Sequence, residues 1–455
     1  MQKTSHQVAV IGAGIAGIAT AYYLARTHGV TGIVLIDRGQ PMNFTSAQSG
    51  ENYRNWWPRP EMVDFTNRSI DLLEEIARDS GNRINMTRRG YVLATRKADA
   101  GDLVEQMRAG LGQDAERLLR FHEPAAAGTY QRPESPDWQA APDGVDILRN
   151  PDLIRSVFPN FAPPVQTVVH IRRGGDISGQ QLGMYMLDYL RERGLRRVIG
   201  NVEGIRHDDD FTIDLRGADG PERIGARQIV NAAGPFADRI AAMLGVDLPI
   251  HHIFQQKIAF DDREKAIPRA QPFSIDLDAQ EIDWTDDERD TLLADPGFAW
   301  LARTMPGSVH CRPDGGDGGT WVKLGWAYNG TPASATWESP LDDNFPDIVL
   351  RGAARLNPSL KTYYGQLPRA MHHYGGWYTM TQENWPLIGP MGPQGAFMNC
   401  ALSGFGTMAA CAAGELCAAW VTGGDLPDYG WKFSAARYED EALMTQLRQA
   451  DKGLL

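Results

Sequence analysis

Six residues near the N-terminus, Gly12-Ala13-Gly14-Ile15-Ala16-Gly17, have the types and spacing that hold a pyrophosphate. Gly12 permits a tight turn, Gly14 lets a phosphate approach the backbone, and Gly17 lets a helix pack closely on a strand. Asp37, twenty residues past Gly17, can accept hydrogen bonds from ribose hydroxyls and would repel a 2′-phosphate. A second chemical signal lies far along the chain. In Trp321-Val322-Lys323-Leu324-Gly325-Trp326-Ala327-Tyr328 a single lysine sits among apolar residues on both faces of a strand. Burying it is costly unless it acts on something or snorkels to water. The pair His372-His373 has no partner carboxylate at a useful spacing and reads as structural.

The elements around these residues fit the chemistry. Val8-Ala9-Val10-Ile11 is a continuous apolar run, as in a parallel strand buried on both faces. An alanine-rich helix, Ile18 to Arg26, and a second apolar strand, Ile33 to Ile36, follow the loop. The helix N-terminus offers free N–H groups and a positive dipole end to phosphate. Further on, Gly90 to Thr95 reads as a strand leaving the nucleotide domain, and residues 124–148 as a surface excursion rich in Pro, Ala, Gly and Asp. Gly183 to Arg193 is an amphipathic helix closing at Gly194. Gln228 to Asn231 is a buried strand ending in the small-residue turn Ala232-Ala233-Gly234, and Thr285 to Glu288 is a capping box opening an exposed helix to Ala294. Ala396 to Cys400 is a strand, and Thr407 to Val421 a helix stopping at Gly423-Gly424.

Composition narrows the partners. The net charge of -12 and a pI near 5.4 repel phosphate backbones, so no nucleic-acid partner is expected. No uninterrupted apolar run is long enough for a bilayer, so no membrane insertion is expected. Met1 to Gln7 is polar and runs into a strand, leaving no room for a signal peptide. The four cysteines, Cys311, Cys400, Cys411 and Cys417, lack zinc spacing. A cytoplasmic protein with free thiols and no metal is expected; the oligomeric state is not legible.

The glycine loop together with Asn231-Ala232-Ala233-Gly234-Pro235, Pro386-Leu387-Ile388-Gly389-Pro390 and Ser403-Gly404-Phe405-Gly406 resembles the glycine/D-amino-acid oxidase (DAO) family of FAD-dependent oxidoreductases, in its sarcosine oxidase-like branch. The resemblance implies an α/β fold with a doubly wound, Rossmann-like FAD-binding domain and an α+β substrate domain whose mainly antiparallel sheet roofs the flavin. The expected boundaries are 1–84, 165–250 and 375–455 for the FAD domain, and 85–164 and 251–374 for the substrate domain. It implies FAD contacts from Gly12, Gly14, Ile15, Ala16, Gly17, Asp37, Arg38, Thr45, Ser46, Ala233, Gly234, Gly404, Phe405, Gly406 and Thr407. A helix starting at Thr407 would aim its positive end at the negative charge of a reduced flavin. Some members attach flavin to a cysteine; here the matching position is Gly376, and residues 38–60 contain no histidine, so FAD is expected to be non-covalent.

The same resemblance places a substrate-gripping base in the loop after Asp37, where Arg54 could pair bidentately with a carboxylate. The second basic anchor of sarcosine oxidase falls at Met408, and the histidine of its turn is Phe405. Aromatic residues Trp56, Trp57, Trp326, Tyr328 and Trp377 fall in segments placed around the substrate, and suit an apolar or cationic amine. Lys323 matches a family lysine beside the flavin that assists reaction with oxygen. The expected activity is oxidation of a C–N bond in a secondary amine or amino-acid-like substrate by hydride transfer to flavin N5, with oxygen as acceptor and hydrogen peroxide as product. The alternative is C–OH oxidation by a hydroxy-acid dehydrogenase passing electrons to a quinone or flavoprotein, with His310 as base. A third reading is a flavin-bearing subunit that only docks partners.

Overall fold

Val8, Ala9 and Val10 are fully enclosed because the first strand has a packed layer on each face. The computed structural model describes residues 4–123, 129–450 and 452–453. Strand Thr4–Ile11 lies inside an eight-stranded sheet, parallel to Ile33–Asp37 on one side and to Gly220–Asn231 on the other. Arg196–Ile199 continues the parallel set beyond Ile33–Asp37. Gly220–Asn231 changes partner along its other edge. Its earlier residues pair antiparallel with Phe211–Gly217, which is hairpinned to Asn201–His207. Its last three, Ile229 to Asn231, pair parallel with Ala396–Cys400, to which Leu387–Pro390 is antiparallel.

Side-chain alternation separates the two faces of this sheet. Val8, Val10, Leu35 and Val230 pack under the helices Ile15–Arg26, Pro60–Asp79, Gly179–Glu192 and Gly406–Thr422. Ala9, Ile11, Val34, Ile36 and Ile229 face the short helix Ala237–Ala242 and the antiparallel extension. The alanine-rich composition of Ile15–Arg26 and Gly406–Thr422 lets their backbones approach, and a Cβ on Gly414 would strike Ala19.

The second sheet has nine strands among the described residues, in the order His372–Met380, His251–Asp261, Trp321–Gly325, Val309–Asp314, Phe273–Asp276, Tyr91–Thr95, Thr167–Ile171, Val145–Leu148, Leu119–His122. All neighbours are antiparallel except Phe273–Asp276 with Tyr91–Thr95 and Leu119–His122 with Val145–Leu148. Ile258, Phe260, Val322 and Leu324 turn away from the first sheet, onto the helix Phe345–Ala354. The fold is the expected α/β arrangement of a dinucleotide domain and a mainly antiparallel substrate sheet.

Several local expectations shift. Strand Thr167–Ile171 falls on the nucleotide side of the expected boundary at 165, yet it pairs inside the nine-stranded sheet. His372–Met380 crosses the boundary at 375 in the same way. The excursion 124–148 ends in Val145–Leu148, a buried strand of that sheet; residues 124–128 lie outside the described residues. The helix expected from Gly183 begins at Gly179, because Ser178 caps it by accepting from the Gln181 N–H at 3.3 Å. The Thr285 capping box is present, with Asp286–Ala294 as its helix. No helix among the described residues is long and apolar enough to cross a membrane.

Candidate active site

The parallel strands end at a cleft of about 800 Å³ lined by the Gly12–Ala16 loop, Asp37–Gln40, Asn43–Ser46, Gly200–Glu203, Ala232–Phe236 and the turn before the helix Gly406–Thr422. Gly12 has φ +114°, and a Cβ there would collide with the Ala232 carbonyl, just as one on Gly17 would collide with the Gly12 carbonyl. The loop is held from two sides. Asp37 Oδ2 accepts from the Ala13 N–H at 2.6 Å, and Oδ1 from the Gly39 N–H at 2.8 Å. Ser46 Oγ accepts from the Ile15 N–H at 3.0 Å. Asp37 therefore shapes the loop itself, and each of its oxygens keeps a lone pair for a ribose hydroxyl.

Three buried polar atoms on this lining have no hydrogen-bond partner among the described residues: Thr45 Oγ1, Asn399 Oδ1 and Ser403 Oγ. Buried polar atoms are nearly always satisfied, so these are fitted to a polar ligand. Ala401 (φ +57°) and Ser403 (φ +46°) hold left-handed backbone in the turn leading to the Gly406 helix start, local strain of the kind kept at functional sites. The glycine cradle, the unsatisfied oxygens and the two helix N-termini fit a dinucleotide such as FAD.

The outer wall of the cleft is aromatic. Trp337 stacks on Phe236 with ring centroids 4.0 Å apart, Phe44 stacks on Phe236 at 5.7 Å, and the Arg38 guanidinium lies 4.4 Å from the Trp337 ring centroid. Trp337 belongs to a strap tied down at Ala333 N to His252 O (2.9 Å), Arg239 to Ala335 O (2.7 Å) and Trp377 Nε1 to Thr336 O (3.1 Å). Sequence reasoning missed Phe44, Phe236 and Trp337, because nothing in an isolated tryptophan near a Pro- and Ser-containing stretch tells which surface it will cover.

Facing the Ser49–Arg54 segment, the nine-stranded sheet presents a charged and aromatic surface. His310, Gly325, Lys257 and Tyr374 form one cross-strand row. Lys257 is 5% exposed, and its Nζ donates to the Tyr378 hydroxyl at 3.2 Å. Tyr378 in turn lies against Gly404, where a Cβ would come within 2.5 Å of its ring. Burial, reinforced by the nearby Lys257 charge, pushes the His310 imidazole down to about 3. Beside this row, Lys323 Nζ donates to Glu51 Oε2 at 2.8 Å and lies 3.4 Å from Asp314 Oδ1. Burial alone would raise the Asp314 carboxyl, but Arg312 and Lys323 hold it below its ordinary value.

Of the expected cofactor residues, Gly12, Gly14, Ile15, Ala16, Asp37, Arg38, Thr45, Ser46, Ala233, Gly234 and Gly406 line the cleft. Gly404 backs onto Tyr378, Thr407 donates to Ser49 Oγ at 2.8 Å, and Phe405 is enclosed against Trp57 at 4.9 Å between centroids. Gly17 contributes close packing behind the loop. Among the expected substrate residues only Trp377 lines the cleft. Trp56 and Trp57 are packed in separate hydrophobic clusters, and Trp326 lies on the far face of the roof against Gly352. Strand alternation decides this: Trp326 follows Gly325, so it points away from Lys323. Arg54 is fully buried, with its guanidinium 4.8 Å from the Tyr91 ring centroid and 5.0 Å from that of Trp57, and burial lowers its pKa.

Fold and cleft together define a dinucleotide-binding protein whose nucleotide domain is roofed by a second sheet. The chain belongs to the DAO family of FAD-dependent oxidoreductases, whose profile matches residues 7–420. It is 22% identical to human mitochondrial dimethylglycine dehydrogenase over 434 residues, 93% of this chain and 43% of that protein. Over 119 residues it is 29% identical to the sarcosine oxidase subunit beta of an Arthrobacter species, covering 26% of this chain and 29% of that one. The chain thus spans less than half the length of these curated relatives. Among solved structures, L-proline dehydrogenase from P. horikoshii superposes with a TM-score of 0.70 at 16% identity, covering 96% of this chain and 99% of that one. Glycine oxidase from Geobacillus kaustophilus gives 0.70 at 16% identity, covering 95% and 99%. These likenesses carry the fold.

Proposed function

We propose that the protein oxidises a C–N bond of a secondary amine or amino-acid-like substrate and passes the electrons to oxygen, releasing hydrogen peroxide. The observation that carries the C–N choice is the state of His310. C–OH oxidation wants a base on the hydroxyl, and an imidazole pushed down to about 3 is a poor proton acceptor near neutrality. A neutral amine needs no such base. FAD, when bound, supplies the hydride acceptor; the chain's residues orient the substrate and exclude water. The relatives support the same class by name: dimethylglycine dehydrogenase, glycine oxidase and iminodiacetate oxidase act on amino compounds. Anaerobic bleaching of the flavin by a panel of amines, amino acids and hydroxy acids tests the reading. Bleaching by hydroxy acids alone would sink it.

Oxygen as acceptor is supported by Lys323, a largely buried cation on the roof strand, fixed by Glu51 and Asp314. A fixed ammonium favours the negative charge that develops as oxygen takes its first electron. Admitting oxygen to anaerobically reduced enzyme and timing reoxidation in wild type and Lys323→Met tests this. A slower variant is expected; equal rates remove Lys323 from the role, and slow reoxidation in both favours a dehydrogenase.

FAD is held non-covalently on this reading. Gly376 itself offers no nucleophile, and the nearest atoms to its Cβ direction are Gln48 Cβ at 3.3 Å and Thr45 Cγ2 at 3.4 Å. Cys400 lines the cleft, but burial pushes its thiol up to about 12, which keeps it protonated and unreactive.

A further inference from the structure

Residues 327–344, between strand Trp321–Gly325 and helix Phe345–Ala354, form no helix or strand, and they make up the strap that carries Trp337. Its two ends are rooted on roof strand His251–Asp261. Near the start, Gln255 Nε2 donates to Asn329 O at 2.7 Å and the Ala333 N–H to His252 O at 2.9 Å; near the finish, the Asp342 N–H donates to Gln256 Oε1 at 2.8 Å. Between those roots the strap is mostly in solvent. Of residues 331–340 only Ala335 is buried, in a small cluster with Phe236, Phe254 and Trp377 that stands apart from the main cores.

The strap touches the nucleotide domain lightly. A single hydrogen bond among the described residues reaches it from that side, Arg239 to Ala335 O at 2.7 Å. The remaining hold is the Trp337 ring, stacked on Phe236 at 4.0 Å, tilted on Phe44 at 5.1 Å and faced by the Arg38 guanidinium at 4.4 Å. All three of those partners line the dinucleotide cleft, as Trp337 does. Trp337 is also 40% exposed, so one ring separates the cleft from solvent. The other exposed residues on the rim, among them Arg38, Gln40, Asn43 and Asn201, belong to the nucleotide domain. Trp337 is the exposed lining residue that the roof contributes, and it spans the rim from one domain to the other.

The contacts that would break if Trp337 lifted are two ring pairs, one guanidinium–ring contact and one hydrogen bond, each of modest strength. The roots on His251–Asp261 are independent of them. Segments with few buried contacts open locally without unfolding the rest. We propose that the strap is the gate through which FAD enters and leaves the cleft, with Trp337 as its latch. The latch is built from the chain's own side chains, so it has to open for uptake as well as for release. The inference concerns exchange of the cofactor and stands whichever substrate is oxidised.

The test measures both directions on the full chain. Release is timed by exchange of bound FAD for isotopically labelled FAD, and uptake by quenching of free FAD fluorescence on mixing with flavin-stripped protein. Trp337→Ala is expected to speed both release and uptake about 10-fold, the scale of a lost ring pair and cation–π contact, so that affinity changes less than either rate. Trp337→Phe keeps a ring on Phe236 and should stay within about 3-fold of wild type in both directions. If Trp337→Ala cannot be isolated with flavin, Trp337→Leu replaces it, with the same paired acceleration expected. Faster release with unchanged uptake makes Trp337 a wall contact and no latch, and overturns the proposal. Wild-type rates in both directions overturn it as well.

Discussion

Glu51 reaches in two directions: Oε2 accepts from Lys323 Nζ at 2.8 Å, and Oε1 accepts from the Gly179 N–H at 2.9 Å. One carboxylate therefore joins the roof sheet to the start of a nucleotide-domain helix, and it does so from a left-handed backbone at φ +62°. That conformation costs a non-glycine residue about 1–2 kcal/mol, and the two side-chain ties hold it. Glu51→Gln leaves Lys323 with Asp314 alone and should lower unfolding free energy by about 1–3 kcal/mol, read as a lower urea midpoint. An unchanged midpoint would show that the bridge is ornamental.

Adding a methyl group at Gly12 or Gly17 tests the cradle. Each new Cβ meets a backbone carbonyl, and Gly12 also sits at φ +114°. Gly12→Ala and Gly17→Ala should each be purified with little flavin and bind added FAD at least about 10-fold more weakly, the equivalent of 1.4 kcal/mol or more. Full flavin occupancy in either variant would contradict the packing described.

Flavin attachment gives a simple readout. Acid precipitation should leave yellow flavin in the supernatant, because Gly376 offers no nucleophile and the Cys400 thiol stays protonated. A yellow pellet would refute non-covalent binding.

Stability should depend on pH through two imidazoles, His170 fully buried and His310 partly so. Burial lowers His170 and His310 to about 3, from 6.5 in the unfolded chain. Between those values the unfolded state binds more protons, so stability is fully present above about pH 6.5 and is lost as pH falls towards 3. Each group contributes at most about 1.4 kcal/mol per pH unit within that window. His310→Gln should flatten the slope measured by denaturant titration at pH 4.5 to 6.5; an unaltered slope would mean His310 takes up its proton in the folded state.

How much of this was legible depends on whether the signal is local. The Gly12–Gly17 loop, the buried first strand and the Ala396–Cys400 strand follow from short-range steric and hydrophobic rules, and the structure has them at the expected places. The resemblance sets Trp56, Trp57 and Trp326 in segments around the substrate, whereas strand alternation and core packing, which short-range sequence does not reveal, bury them in hydrophobic clusters. Lys257 gave no local sign: in Gln255-Gln256-Lys257 it looks like an ordinary polar strand end. Its place in the cross-strand row is set by what stands opposite it, Gly325 and Tyr374, both far away in sequence. The pairing of Thr167–Ile171 with Tyr91–Thr95 was illegible for a similar reason, since it is a long-range contact.

The interleaving of the two sheets also constrains how the chain is made. Strand Thr4–Ile11 is made well before its partner Gly220–Asn231, and that partner's own neighbour ends at Cys400. Contacts of such long sequence separation close slowly, and unpaired strand edges expose a nascent chain to aggregation meanwhile. The pyrophosphate loop, made long before them, has its cleft completed only when Ala232 and the turn after Cys400 have arrived. FAD capture therefore waits until the chain has been made past the turn that follows Cys400.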